Sequence, residues 1–259
     1  MKFEQTEINL KGGIHDKTPS FLHRLSVREA PIGSPVMRQR WSDLLFLHWE
    51  IEPKFIQSRL PAGLHVDLFE GKAWIGIVPF AMERVHPVGL PPLPWLSWFL
   101  ELNVRTYVHD ESGRPGVWFF SLDCNQPIAV EVARRFFHLP YNHARMRADY
   151  QTGEVIYSSQ RRGTDQVSRF RYRRPLHAEP ARDRSLEWFL VERYLLFTTD
   201  GMGRIRCGRV HHKPYRIQQA DCPEWTAEPI RENGFAVPSG PPLSMLVAEP
   251  VEVSIYPLS

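Results

Sequence analysis

This chain has few lysines, no paired cysteines and no long apolar run. Only six of its 32 basic residues are lysine, and the rest are arginine. Amine chemistry such as Schiff-base formation therefore has few candidates. Cys124, Cys207 and Cys222 are odd in number and widely spaced, with no C-x-x-C. That spacing excludes a disulfide framework and fits a reducing compartment. The first residues, Met1-Lys2-Phe3-Glu4-Gln5, lack the apolar segment of a secretory signal. No stretch approaches the ~18 apolar residues of a membrane span. A soluble cytoplasmic protein is expected, with no membrane partner.

Other absences narrow the chemistry. Basic and acidic residues are nearly balanced, 32 against 29, so there is no clustered positive charge for a nucleic acid. Gly201-x-Gly203 is not followed by the third glycine of a dinucleotide site. There is no P-loop, no H-E-x-x-H and no G-x-S-x-G. His211 and His212 are adjacent, so on a strand they face opposite ways. Ligand spacing for zinc is missing. No metal and no cofactor is expected.

What is present is a series of short strands. Trp41–Ile51 predicts one strand, and Pro53–Leu60 a short helix with proline in its first turn. Val66–Phe69 and Lys72–Phe80 predict a hairpin about Glu70-Gly71. Trp74–Val78 is apolar on both faces and predicts a buried strand. Residues 86–98 form a Pro-rich apolar loop, either a lid over a pocket or a cover on the core. After Leu100–His109 and Val117–Cys124, Asn125 is placed to cap a helix whose stripe is Ile128, Ala129, Val132, Ala133, Phe136 and Phe137. Pro140 follows it. Strands over Arg145–Tyr150, Val155–Arg161 and Ser168–Arg173 come next. Ser185 caps a second helix, Leu186–Tyr194. A hairpin turns at Asp200-Gly201, and a last strand covers Val251–Tyr256. Residues 1–36 read as a partly irregular extension and 37–259 as one barrel domain. The class predicted is mainly β: an antiparallel closed or cone-shaped barrel with two short helices.

The first of the central strands alternates strictly. Glu101, Asn103, Arg105 and Tyr107 share one face; Leu102, Val104, Thr106 and Val108 share the other. Four different hydrogen-bonding groups on one face suggest a pocket wall. Arg105 offers a fork for a carboxylate or phosphate. Glu101 and His143 are the candidate acid or base groups. Alternatively, Glu101 and Arg105 pair with each other. If these residues face inward they need partners, so Arg105→Met would cost stability as well as binding. Asp123 suits a turn cap as well as a ligand contact, and Glu192-Arg193-Tyr194 suits a structural ion pair.

Leu44–Trp49, Glu101–Val108, Gly116–Asp123, Leu139–Met146, and Ser185–Tyr194 with His211–Tyr215 together resemble the YqjF-like family of uncharacterised bacterial proteins. That family is similar to the acetoacetate decarboxylase-like superfamily. The resemblance implies a cone-shaped antiparallel barrel with an internal pocket, and no settled activity. In the decarboxylases two lysines follow a helix-ending proline; here Tyr141 and Asn142 follow Pro140. Without an amine no iminium forms, so that route to decarboxylation is closed. The resemblance also puts His143 and Arg145 at the pocket mouth, where His212 joins them. The ligand-binding set is then Glu101, Asn103, Arg105, Tyr107, Tyr141, Asn142, His143, Arg145 and His212. Three functions fit: binding a small organic acid, general acid–base catalysis on a small carbonyl or carboxylate compound, or a structural role with a filled barrel. A homo-oligomer is compatible with each.

Overall fold

A computed structural model describes residues 18–259. In chain order the elements begin with α1 (Phe21–Ser26), β1 (Met37–Ser42), β2 (Leu44–Ile51), α2 (Pro53–Gln57), β3 (Leu64–Val66) and β4 (Ala73–Pro87). Next come β5 (Phe99–Asp110), β6 (Pro115–Cys124), α3 (Pro127–Phe137), β7 (Tyr141–Gln151), β8 (Glu154–Arg161), β9 (Ser168–Arg173) and β10 (Glu179–Pro180). The last are α4 (Leu186–Val191), β11 (Leu195–Thr199), β12 (Ile205–His211), β13 (Arg216–Gln219), α5 (Glu228–Glu232), β14 (Ser244–Ala248) and β15 (Val251–Ile255).

Seven strands close a ring in the order β4, β1, β15, β12, β11, β6, β5 and back to β4. Every pairing in the ring is antiparallel except β6 with β11. The mainly antiparallel barrel read from the strand patterns is therefore the observed fold. Two wings leave the ring. β2, β14, β13 and β10 extend from β4. β7, β8 and β9 extend from β6, beginning with a second parallel pairing, Leu122↔Tyr141.

β4 is long because it serves both the ring and a wing. Residues 81–87 pair with β1, and residues 73–77 pair with β2. The single strand expected over Trp41–Ile51 is accordingly two, broken at Asp43 with φ 51°, where Arg174 binds the Asp43 carboxylate at 2.6 Å. The hairpin expected between Val66–Phe69 and Lys72–Phe80 also gives way: β3 pairs with β5, leaving a single bridge at Phe69↔Lys72. Asp67 accounts for the difference. It is fully buried, Arg24 and Arg193 hold its carboxylate, and the chain turns inward there.

Helix α3 is capped by Gln126, whose side chain accepts from the Ile128 N–H at 3.1 Å. Asn125, the expected cap, instead accepts from the Leu100 N–H at 2.8 Å. The second expected helix ends at Val191, short of Tyr194. Of the N-terminal extension, residues 1–17 lie outside the described residues. Beyond them α1 docks through Phe21 on Trp188 and Arg24 on Asp67.

Two apolar regions result. Outside the ring, Leu45, Leu47, Ile75, Ile77, Leu102 and Val104 pack against Val155, Tyr157, Phe170 and Tyr172 of the β8–β9 wing. Inside it, Phe46, Val78, Phe80, Met82 and Leu122 face the barrel interior with one face of β5. The single parallel contact that closes the ring depends on Gly116. A Cβ there would lie 2.7 Å from Phe197 Cε2 and 2.8 Å from the Leu195 carbonyl oxygen. Backbone cannot yield as a side-chain tip can, so Gly116→Ala should cost about 1–3 kcal/mol by overpacking. Urea unfolding measures this. Gly201→Ala, which meets nothing within 4 Å, should stay within about 0.5 kcal/mol of wild type.

Candidate functional site

The ring encloses a cavity of about 290 Å3, and Glu101, Asn103 and Arg105 line it. Their strand, β5, is buried on both faces. Its outer side chains belong to the β8–β9 core, and period-two geometry turns these polar side chains inward. A bulge in β6 completes the wall: Val104 pairs with Ser121 but Arg105 pairs with Phe119. Phe119 thereby enters the cavity lining while Phe120 packs outside on Phe235.

Arg105 donates from Nη2 to the Leu190 carbonyl at 3.0 Å. Its guanidinium lies over Phe46, 5.3 Å from the ring centre. Its Nε is buried with no partner, and among the described residues no carboxylate lies in ion-pair range of it. The alternative of a Glu101–Arg105 pair is corrected. Four residues along a strand span about 13 Å, and Glu101 instead accepts a hydrogen bond from the Tyr141 hydroxyl at 2.6 Å.

Burial pushes the Glu101 carboxyl up to about 7; hydrogen bonds from Tyr141 and Asn103 oppose that, and the charge of Asp123 adds to it. Asn103 keeps its Oδ1 buried and unbonded at the cavity. Glu101, Asn103, Arg105 and Tyr141 are thus brought together. Tyr215 also lines the cavity.

The rest of the expected set lies elsewhere. Tyr107 faces inward but is sealed below the cavity, bonded to His48 Nε2 at 2.6 Å and packed on Phe189. Because Arg105 donates to the Tyr107 oxygen, at 3.4 Å, the tyrosine proton is directed to His48. Burial, and then the Arg105 charge, holds His48 well below the usual imidazole range, so it is neutral. His212 is buried between Tyr194 and Tyr215, outside the lining, and bonds the Lys213 carbonyl. Asn142 bonds Asp123, which pairs with Arg161 at 2.8 Å instead of capping a turn. His143 lies 3.2 Å from Glu131 on α3, and Arg145 is exposed. β7 stays paired with β6 through His143; Asn142 alternates to the other face, His143 is held by Glu131 of α3, and Arg145 lies past the pairing, so none of the three lines the cavity. The structural ion pair expected at Glu192-Arg193-Tyr194 is made by Arg193 with a partner distant in sequence. Arg193 binds Asp67, and Glu192 accepts from the Tyr194 hydroxyl and the Tyr215 N–H.

Sequence reasoning missed His48 and Gly76, which lie beside Tyr107 beneath the cavity and outside its lining. His48 alternates with Leu44 and Phe46 on the inward face of β2, and that was its available signal. Gly76 pairs with both His48 and Arg105. A Cβ on it would lie 2.7 Å from the His48 ring. Among the described residues no group of three or more His, Cys, Asp or Glu side chains could hold a metal, and no helix is long and apolar enough to cross a membrane.

The Glu101 environment has a measurable consequence. Its folded value lies above its ordinary 4.5, so the fold favours the protonated form. That stabilisation is complete below about pH 4.5 and is lost as pH rises toward 7. Wild type should therefore lose roughly 3 kcal/mol relative to Glu101→Gln across this window. Paired denaturation curves at several pH values test it; a pH-independent difference would place Glu101 in a water-like environment.

Residues 38–252 match the DUF2071 family, described as an uncharacterized conserved protein. The uncharacterized protein YqjF of Bacillus subtilis (strain 168) is 35% identical over 229 residues, covering 88% of this chain and 93% of YqjF. Among solved structures, the enduracididine biosynthesis enzyme MppR complexed with pyruvate superposes with a TM-score of 0.60 at 12% identity, over 89% of this chain and 92% of that one. The acetoacetate decarboxylase of Legionella pneumophila superposes with a TM-score of 0.58 at 12% identity, over 89% and 91%. At such identities the likeness is one of fold. The chain belongs to the DUF2071 family, is YqjF-like in sequence and has an acetoacetate decarboxylase-like fold.

Proposed function

We propose that the barrel binds a small organic acid without covalent attachment, its carboxylate seated on Arg105. The observation that carries this reading is the Arg105 guanidinium, turned into a cavity with an unbonded Nε and no acidic partner among the described residues. A guanidinium fork matches a carboxylate in two hydrogen bonds. Asn103 offers Oδ1 and Tyr141–Glu101 a second polar group for a carbonyl or hydroxyl. A fold relative, MppR, is described as complexed with pyruvate, which supports a ligand of this class. No lysine is among the cavity-lining residues, so the reading involves no Schiff base. An open cavity of about 290 Å3 speaks against a barrel filled for a purely structural role.

Arg105→Met separates binding from folding. A destabilising effect requires a paired arginine, and among the described residues Arg105 has no carboxylate partner. Losing an uncompensated cation offsets losing the bond to the Leu190 carbonyl, so stability should change by only about 1 kcal/mol. Calorimetric titration with pyruvate and short-chain acids should show at least tenfold weaker binding to Arg105→Met, with Arg105→Lys in between. Equal binding by all three proteins would refute the anchor.

A second reading is general acid–base catalysis on a small carbonyl compound, favoured by the Glu101 carboxyl poised at about 7. Exchange of α-protons of 2-oxo acids in D2O, followed by NMR, should then be catalysed by wild type and lost in Glu101→Gln. No exchange above the buffer rate would leave binding alone.

A further inference from the structure

We infer that the acid held in this barrel carries an extended apolar body, of the size of a medium-chain or arylalkyl carboxylic acid, which runs from Arg105 toward α3. This rests on the reading of Arg105 as the carboxylate anchor and specifies what lies beyond the head group.

Three observations carry it. The first is size. At about 30 Å3 per water-sized atom, a cavity of about 290 Å3 takes roughly ten non-hydrogen atoms, against about six for a three-carbon oxo acid. The second is the segregation of polarity. Glu101, Asn103 and Arg105 of β5 and Tyr141 gather at one part of the wall, with Gln39, His86 and Tyr215 the other polar side chains of the lining; most of the remaining lining is apolar, with Phe46, Phe80, Met82 and Phe119 among it. A short polar acid on Arg105 would leave these walls against water, whereas an alkyl or aryl tail replaces water along their length.

The third is α3. Its apolar stripe should pack into a core, yet Val130 is the helix's single buried residue. Ile128, Ala129, Val132 and Ala133 line the cavity, Ala129 and Ala133 touching its apolar wall. Ala129 and Ala133 stand one turn apart on that face, and their small side chains keep the space beneath the helix open. Gln126 at the start of α3 donates to the Trp95 carbonyl at 3.0 Å, joining the helix to the 86–98 loop. Both elements therefore sit at the same end of the barrel, beyond Phe99. Arg105 lies deeper, opposite Gly76. The head group is thus inside and the tail runs outward under α3.

Calorimetric titration of the full chain with acetate, pyruvate, butyrate, hexanoate, octanoate and 3-phenylpropanoate tests this, with 1-octanol as the uncharged control. Affinity should rise about fourfold per methylene from butyrate to octanoate, and 3-phenylpropanoate should fall near octanoate. Ala133→Phe fills the space under α3 and should collapse the octanoate-to-butyrate ratio toward one. Val132→Phe serves the same purpose should Ala133→Phe fail to fold. If acetate and pyruvate bind as tightly as octanoate, or if both filled variants keep the octanoate preference, the apolar body is refuted and the carboxylate anchor stands. If 1-octanol binds and no acid does, the anchor itself is refuted, and this inference falls with it.

Discussion

Strand β5 is covered on both faces, and most of the site follows from that constraint. Leu102 and Val104 are locked into the packing between the ring and the β8–β9 wing. Thr106 is tied by its hydroxyl to the Trp74 carbonyl at 2.8 Å. A slip of one residue would send these groups into the barrel and drive Glu101, Asn103 and Arg105 into a solid apolar layer. The outer core thus sets the register of the inner wall. The Tyr157 hydroxyl adds to this from the wing, donating to the Glu101 carbonyl at 2.8 Å.

The protein treats its buried arginines in two ways. Arg193 and Arg24 converge on Asp67, with contacts of 2.6 and 2.6 Å, and Arg193 also lies over the Phe189 ring. The two guanidiniums share that one carboxylate, which stays ionised between them. Arg105 stands beyond Tyr107 on the cavity side and has a carbonyl and aromatic faces in place of a carboxylate. At the closed end both cations share a carboxylate, while at the cavity no carboxylate among the described residues lies in ion-pair range of Arg105. Such an imbalance is the kind of local cost that marks a binding site.

Glu101 and Tyr141 show how the ring and its wing share one site. Tyr141 is the first residue of β7 and pairs with Leu122. It is the one residue of the 141–145 segment whose side chain lines the cavity; His143, two residues on and still paired with β6, is held by Glu131 of α3. Two β-rich layers that look separable along the chain are therefore joined at the cavity wall by the buried hydrogen bond from Tyr141 to Glu101.

Local pattern made much of this legible. The strict alternation of Glu101–Val108, the cap at Ser185 next to its helix, and the short strands without a βαβ rhythm are nearest-neighbour properties. They give a mainly β barrel and an inward polar face. They do not show what meets the 141–145 segment in space: His143 is held by α3, Asn142 by Asp123, and Arg145 is exposed, so none of the three joins the cavity residues. Nor do they show the β6 bulge, the pairing of β3 with β5, or the fact that α3 spans a void. Those features depend on which strands meet across long stretches of chain. By itself the sequence determined which side chains share a face, since the backbone period does that within each strand. Only the tertiary structure decided which faces enclose space, because a cavity exists where distant walls fail to meet, and no local spacing encodes that gap.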